Sequence, residues 1–113
     1  MPVAKKVRPK KWQEITVLFD DGRYSVISGR YEVEKQKDHE HFVLGERWNG
    51  TKDHPLGFPN GAGYPIWHVA PDFLAIPILE GLLTEIADPN KKSYGNPEKI
   101  RLELKRQQKI RSN

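Results

Sequence analysis

Trp12-Gln13-Glu14-Ile15-Thr16-Val17-Leu18-Phe19-Asp20-Asp21-Gly22-Arg23-Tyr24-Ser25-Val26-Ile27-Ser28 reads as two extended segments joined by a tight turn. Ile15, Val17 and Phe19 alternate with Glu14, Thr16 and Leu18, the period-two pattern of a strand with two different faces. Asp21-Gly22 supplies the turn, because glycine accepts the positive φ that a short hairpin connection demands. Outward from this hairpin, Gly29 and Arg30 lead to a third expected strand over Tyr31 to Glu34, followed by a polar loop from Lys35 to His41. A fourth expected strand, Phe42 to Trp48, places Phe42, Leu44, Glu46 and Trp48 on one face and Val43, Gly45 and Arg47 on the other, with Gly45 marking a bulge or a close approach. Leu18, Ile27 and Val43 fall on the alternation opposite to Val17, Val26 and Leu44, so neither face of the sheet is purely polar. Residues 49–65 hold too many glycines and prolines for a regular element, and a last short strand is expected at Ile66 to Val69.

Beyond the strands, Ile78, Leu79, Leu82, Leu83 and Ile86 form an apolar stripe at helical spacing. Pro71 suits the first turn of a short helix, and Pro77 suits the start of the main one, since the residue before a proline disfavours helical angles. Gly81 inside that helix suggests a close crossing against the sheet, and Asp88-Pro89 ends it. Asn96, Pro97 and Glu98 have the order of a helix start, although Ile100, Leu102 and Leu104 alternate as on a strand, so a helix is preferred there with a strand as the alternative. The expectation is an α+β fold: a mostly antiparallel meander of four or five strands, one main helix over about residues 77–87 packed on one face, a C-terminal helix or arm, and basic tails. The corresponding division is a disordered basic arm at 1–11, a single domain at 12–95 and a basic segment at 96–113.

With 113 residues and no cysteine, the chain has the size of one small domain, without disulfides or thiol chemistry. Its longest apolar stretch, near Ile76, is cut by Glu80, far short of the roughly 20 residues that span a bilayer, so no membrane partner is expected and the cytoplasm is the expected compartment. The formal charge of +4 conceals a division. Lys5, Lys6, Arg8, Lys10 and Lys11 crowd the start, residues 91–113 carry eight basic residues against Glu98 and Glu103, and the body between has an excess of seven carboxylates. Basic ends of this kind are solvated arms, arms docking on an acidic neighbour, or contacts to nucleic acid; for the last, Lys99, Arg101, Lys105, Arg106 and Lys109 are the candidates.

Chemistry-bearing residues are few. Asp38, His39, Glu40 and His41, with His54 and His68 further on, are metal-ligand types at spacings that suit no recognised site, so neither metal nor other cofactor is expected. Asp20 and Asp21 are accounted for by the turn, and Glu32 and Glu34 by an exposed strand face. Glu46 is different, because the alternation groups it with Leu44 and Trp48, which points to a shifted carboxyl or to an ion pair with Arg30 or Arg47. If Trp67 faces inward, His68 faces out and becomes the best general-base candidate, oriented by Glu46 or Asp72. In the loop, Gly57-Phe58-Pro59 and Gly63-Tyr64-Pro65 repeat a Gly-aromatic-Pro pattern that either holds Phe58 and Tyr64 out as contact rings or folds them back over the core, and that favours a cis bond. Gly61-Ala62-Gly63 has no helix start behind it and is not a phosphate loop.

The runs Gly45-Glu46-Arg47-Trp48-Asn49-Gly50, Gly57-Phe58-Pro59 and Tyr64-Pro65-Ile66-Trp67-His68-Val69-Ala70-Pro71 resemble a pattern in small bacterial proteins, including those of mobile gene cassettes; the resemblance implies no activity. The first functional expectation is a non-enzymatic binding or interaction protein, homo-oligomeric because a second sheet face needs cover, with Trp48, Phe58, Tyr64 and Trp67 contacting a ligand or partner. The alternatives are a small-molecule pocket or enzyme centred on Trp48, Trp67, His68 and Glu46, and nucleic-acid binding through the basic ends.

Overall fold

Residues 4–9, 11–31, 42–90 and 94–112 are described in a computed structural model of the chain. Strands β1 (Trp12–Asp20) and β2 (Tyr24–Tyr31) form the expected hairpin, and Gly22 at its turn has φ 89°. The aspartates serve the turn directly: Gly22 N donates to Asp20 Oδ1 at 2.9 Å, and Asp21 Oδ1 accepts from Arg23 N and Tyr24 N, each at 2.8 Å. β3 (Phe42–Trp48) pairs antiparallel with β2, and the two-residue β6 (His68–Val69) pairs antiparallel with β3, giving the order β1-β2-β3-β6. The chain is thus an α+β fold built on a four-stranded antiparallel sheet.

Several local expectations are corrected. Tyr31 is the last residue of β2 and not the start of a third strand; the remainder of that segment and the Lys35 to His41 loop lie outside the described residues. The loop over residues 49–65, read as irregular, contains a small hairpin of β4 (Asn60–Gly61) and β5 (Tyr64–Pro65). Its turn residues Ala62 and Gly63 have φ 51° and 81°, the left-handed pair that a two-residue connection requires. β1 shifts register twice, between Gln13 and Thr16 and between Val17 and Phe19. As a result Val17 lies opposite Ile27, whereas Leu18 and Phe19 both join the core of the other face, which reverses the faces assigned to Val17 and Leu18 by simple alternation.

Helix α1 (Asp72–Ile86) runs unbroken through Pro77, in place of the expected short turn followed by a helix from 77. Proline at its sixth position removes one main-chain bond, to exposed Phe73, while buried Ala75 and Leu79 on either side hold the axis. Ile78, Leu82, Leu83 and Ile86 pack against Leu18, Phe19, Val26, Leu44 and Ala70, so the apolar stripe covers the sheet as expected. Gly81 faces open space and makes no close crossing. The last segment is a helix, α2 (Pro97–Ser112), started by Asn96, whose Oδ1 accepts from Lys99 N at 3.1 Å. Ile100 enters the same core as α1, Leu104 packs at its edge, and Leu102 is exposed. Residues Tyr94 to Asn96 lie along β1: Asp20 N donates to Tyr94 O and Asn96 N to Leu18 O, both at 3.1 Å, which occupies part of that edge.

The second face of the sheet carries Trp12, Ile27, Val43 and Trp67, and the N-terminal segment covers it. Ala4 and Val7 are buried there, in a turn of 3-10 helix and the residues that follow, where an arm without structure was expected. Two apolar side chains suffice because both close on large rings, and Val7 O accepts from Trp67 Nε1 at 2.8 Å. The expectation of self-association rested on an uncovered second face; this segment removes that premise. Among the described residues no helix is long and apolar enough to cross a membrane.

Candidate functional site

The site forms where the sheet runs out beyond the helices. Successive rows of side chains cross the strands on the helix-covered face: Ser28 lies opposite Leu44, Val26 opposite Glu46 and Glu46 opposite His68, and Tyr24 opposite Trp48. Phe58 completes the last row, because Trp48 N donates to Phe58 O at 2.7 Å and Phe58 N to Trp48 O at 2.9 Å. Tyr24, Trp48 and Phe58 are therefore an aromatic row across three chain segments. The Tyr24 and Trp48 rings meet edge to face with centroids 4.7 Å apart.

Trp48 and Phe58 remain 56% and 68% exposed. They do not fold back over the core, and neither does Tyr64, 71% exposed on the β4–β5 hairpin. Trp48 and Phe58, with Arg23, Gly50, Thr51, Asp53, His54, Pro55, Leu56, Gly57 and Asn60, line a groove of about 680 Å³. That volume is in the range of small-ligand sites, roughly 300–1,000 Å³. Tyr64 does not line it. Trp67, expected at the contact surface, is 4% exposed on the opposite face and belongs to the core.

With Trp67 inward, His68 points out, and its Nδ1 is 3.4 Å from Glu46 Oε1. The pKa of the neighbouring Tyr24 hydroxyl is raised, first by burial and then by the adjacent Glu46 carboxylate. Phe58, Trp48 and Tyr24 thus form one row on this face, and Glu46 and His68 a pair in the row beside it. The expected pairing of Glu46 with an arginine does not occur: Arg30 Nε is 2.6 Å from Glu14 Oε2, and Arg47 points through the other face.

Arg47 is the residue whose role was missed. It is 1% exposed and forms no ion pair with a carboxylate among the described residues. Its Nη1 donates to Ile66 O at 2.8 Å and Pro59 O at 3.5 Å, its Nη2 donates to Leu56 O, and its guanidinium is 5.9 Å from the Trp67 ring centroid. Burial holds its pKa below the ordinary value, the cost of keeping a cation where only carbonyl oxygens and a ring face it. The guanidinium fork therefore ties the middle of the loop, at Leu56 and Pro59, and its far end, at Ile66, to the sheet. The signal was in the alternation, which grouped Arg47 with Val43 and Gly45. Asn49, also buried, secures the loop's start: its Oδ1 accepts from Ser25 Oγ at 2.7 Å, and its Nδ2 donates to Asp20 Oδ1 at 3.0 Å. The Phe58–Pro59 bond is cis.

No group of three or more metal-ligating side chains occurs among the described residues, and Asp38 to His41 lie outside them. On α2, Lys99, Arg101, Lys105 and Lys109 are exposed, whereas Arg106 is engaged, its Nη1 2.9 Å from Glu103 Oε1 and its guanidinium 3.8 Å from the Phe42 ring centroid. Comparison with protein-family models, curated proteins and solved structures found no match to this chain.

Proposed function

We propose that this chain is a binding protein that takes a flat, largely apolar small ligand into the groove between Trp48, Phe58 and Leu56. The supporting observation is Arg47, a buried cation that satisfies loop carbonyls and holds two aromatic rings in water. Leaving such rings exposed forgoes about 1.5–3 kcal/mol each relative to burial, and burying an arginine adds a further cost. An arrangement of this kind is advantageous when a ligand completes the burial and finds the site already ordered. Arg23, Asp53, His54 and Asn60 on the walls supply the few polar groups that would fix its orientation.

The experiment is an NMR screen of planar aromatic fragments against the labelled protein. Binders are expected to move the Trp48 indole and the Gly57 and Phe58 amides, and to lose at least tenfold in affinity in Trp48→Ala and Phe58→Ala proteins. A library that leaves these resonances unmoved at millimolar concentration contradicts the proposal.

A second reading has its own support: Glu46 beside His68 Nδ1 orients the imidazole and leaves Nε2 for a reactant, as a general base requires. Its test is turnover of a fragment identified by the screen, with His68→Gln expected to abolish turnover and retain binding.

A further inference from the structure

We infer that the outward face of α2 is a docking surface for the phosphate backbone of double-stranded nucleic acid, independent of the groove. The helix is fixed by its inner face: Ile100 is in the core, Gln107 Nε2 donates to Phe42 O at 2.8 Å, and buried Glu103 is held by Gln107 and Arg106. Arg101, Lys105 and Lys109 recur every fourth residue on the opposite side, so they form one exposed stripe rising about 6 Å per step. Lys99, two residues before Arg101, faces a different side of the helix, and none of the three stripe residues forms an ion pair among the described residues. A row of cations spaced a few ångströms apart meets a duplex backbone that carries about one negative charge per 1.7 Å of its axis.

Two observations select this partner. A membrane-surface helix needs an apolar face to insert, and here that face is consumed by the protein's own core, leaving only Leu102 outside. Single strands are held by stacking on rings, and α2 carries no aromatic residue. Docking on the acidic body of a second copy is the competing occupant, and concentration-dependent self-association lost in the stripe variant, without binding to duplex, overturns the inference. The basic N-terminal segment lies on the other side of the sheet and contributes nothing to this stripe.

The test is fluorescence anisotropy of the full chain with a labelled duplex of random sequence between 50 and 300 mM salt. Neutralising three phosphates gives a slope of log affinity against log salt of about −3. The Arg101→Gln/Lys105→Gln/Lys109→Gln protein, its fold checked by circular dichroism, is expected to bind at least tenfold more weakly at 50 mM salt with a slope near −1. The Lys5→Gln/Lys6→Gln/Arg8→Gln protein is expected to keep the wild-type slope. The inference is overturned if the wild type does not bind at 50 mM salt, if the first variant keeps the slope, or if the second loses it. Tighter binding to a single strand, or to phosphatidylserine vesicles without binding to duplex, overturns it equally.

Discussion

Arg47 and Gly57 occupy the same small space: a β-carbon at position 57 would lie 2.6 Å from Arg47 Nη2 and collide with the Trp48 carbonyl. Gly57 also has φ 69°, which side-chain-bearing residues adopt at a cost. The cation that anchors the loop and the glycine that admits it are one device. Gly57→Ala is expected to destabilise the protein by about 2 to 4 kcal/mol in urea unfolding, combining overpacking with backbone strain. Arg47→Lys, which keeps the charge and loses the fork, is expected to cost about 2 to 4 kcal/mol as well, since one ammonium cannot replace bonds to carbonyls on both sides of the loop.

A second close approach holds the other face. The Trp12 ring lies over two glycines, and a β-carbon at Gly45 would be 2.8 Å from Trp12 Cη2, at Gly29 3.2 Å from Trp12 Cε3. Gly45→Ala is therefore expected to lose about 1 to 3 kcal/mol in thermal or urea unfolding. Gly81→Ala, whose added methyl meets nothing, is expected to stabilise α1 by about 0.5 to 1 kcal/mol.

Removal of residues 1–9 tests the N-terminal cover. Without Val7 the Trp67 indole loses its acceptor, and Ile27, Val43 and both rings are opened to water. The truncated protein is expected to show red-shifted tryptophan emission and to lose at least 2 kcal/mol or so of stability, about the value of one buried aliphatic side chain. Unchanged emission and stability would show that the segment is not a cover.

The alkaline limb of stability reports on Tyr24. Its folded-state pKa is raised, so the fold retains a proton that the unfolded chain gives up above its own tyrosine pKa of about 10. The stabilisation is complete below that pH and is lost as pH rises beyond it. The difference in urea midpoint between the wild type and Tyr24→Phe is expected to stay constant up to about pH 10 and to shrink progressively as pH rises above it. A constant difference would mean that the fold does not raise the pKa of this phenol.

Much of the architecture was legible because it is carried by local rules. Asp21-Gly22 states a turn, the alternation of Val43 to Trp48 states a strand, and the spacing of Ile78, Leu82 and Ile86 states a helix on a sheet. What was not legible depends on distant partners. Nothing within residues 1–11 reveals that Ala4 and Val7 meet Trp12 and Trp67, and Pro77 reads as a boundary until Ala75 and Leu79 are seen anchored on both sides of it. The bulges of β1 moved Val17 and Leu18 across the sheet, which alternation cannot foresee. Trp48 and Phe58 stand out in the sequence as rings close to glycine and proline, and in the structure both are exposed and line the groove. Trp67 was misplaced as a contact residue and Arg47 was passed over, since whether a strand residue faces solvent or core depends on what covers that face.

Amide hydrogen exchange at Trp48 and Phe58 tests most directly whether Arg47 preorganises the groove. In the wild type both amides, bonded to each other's carbonyls, are expected to exchange slowly, and in Arg47→Gln they are expected to exchange at least tenfold faster while the β1–β2 amides stay protected. Rapid exchange of both in the wild type, or equal protection in the variant, would contradict the account.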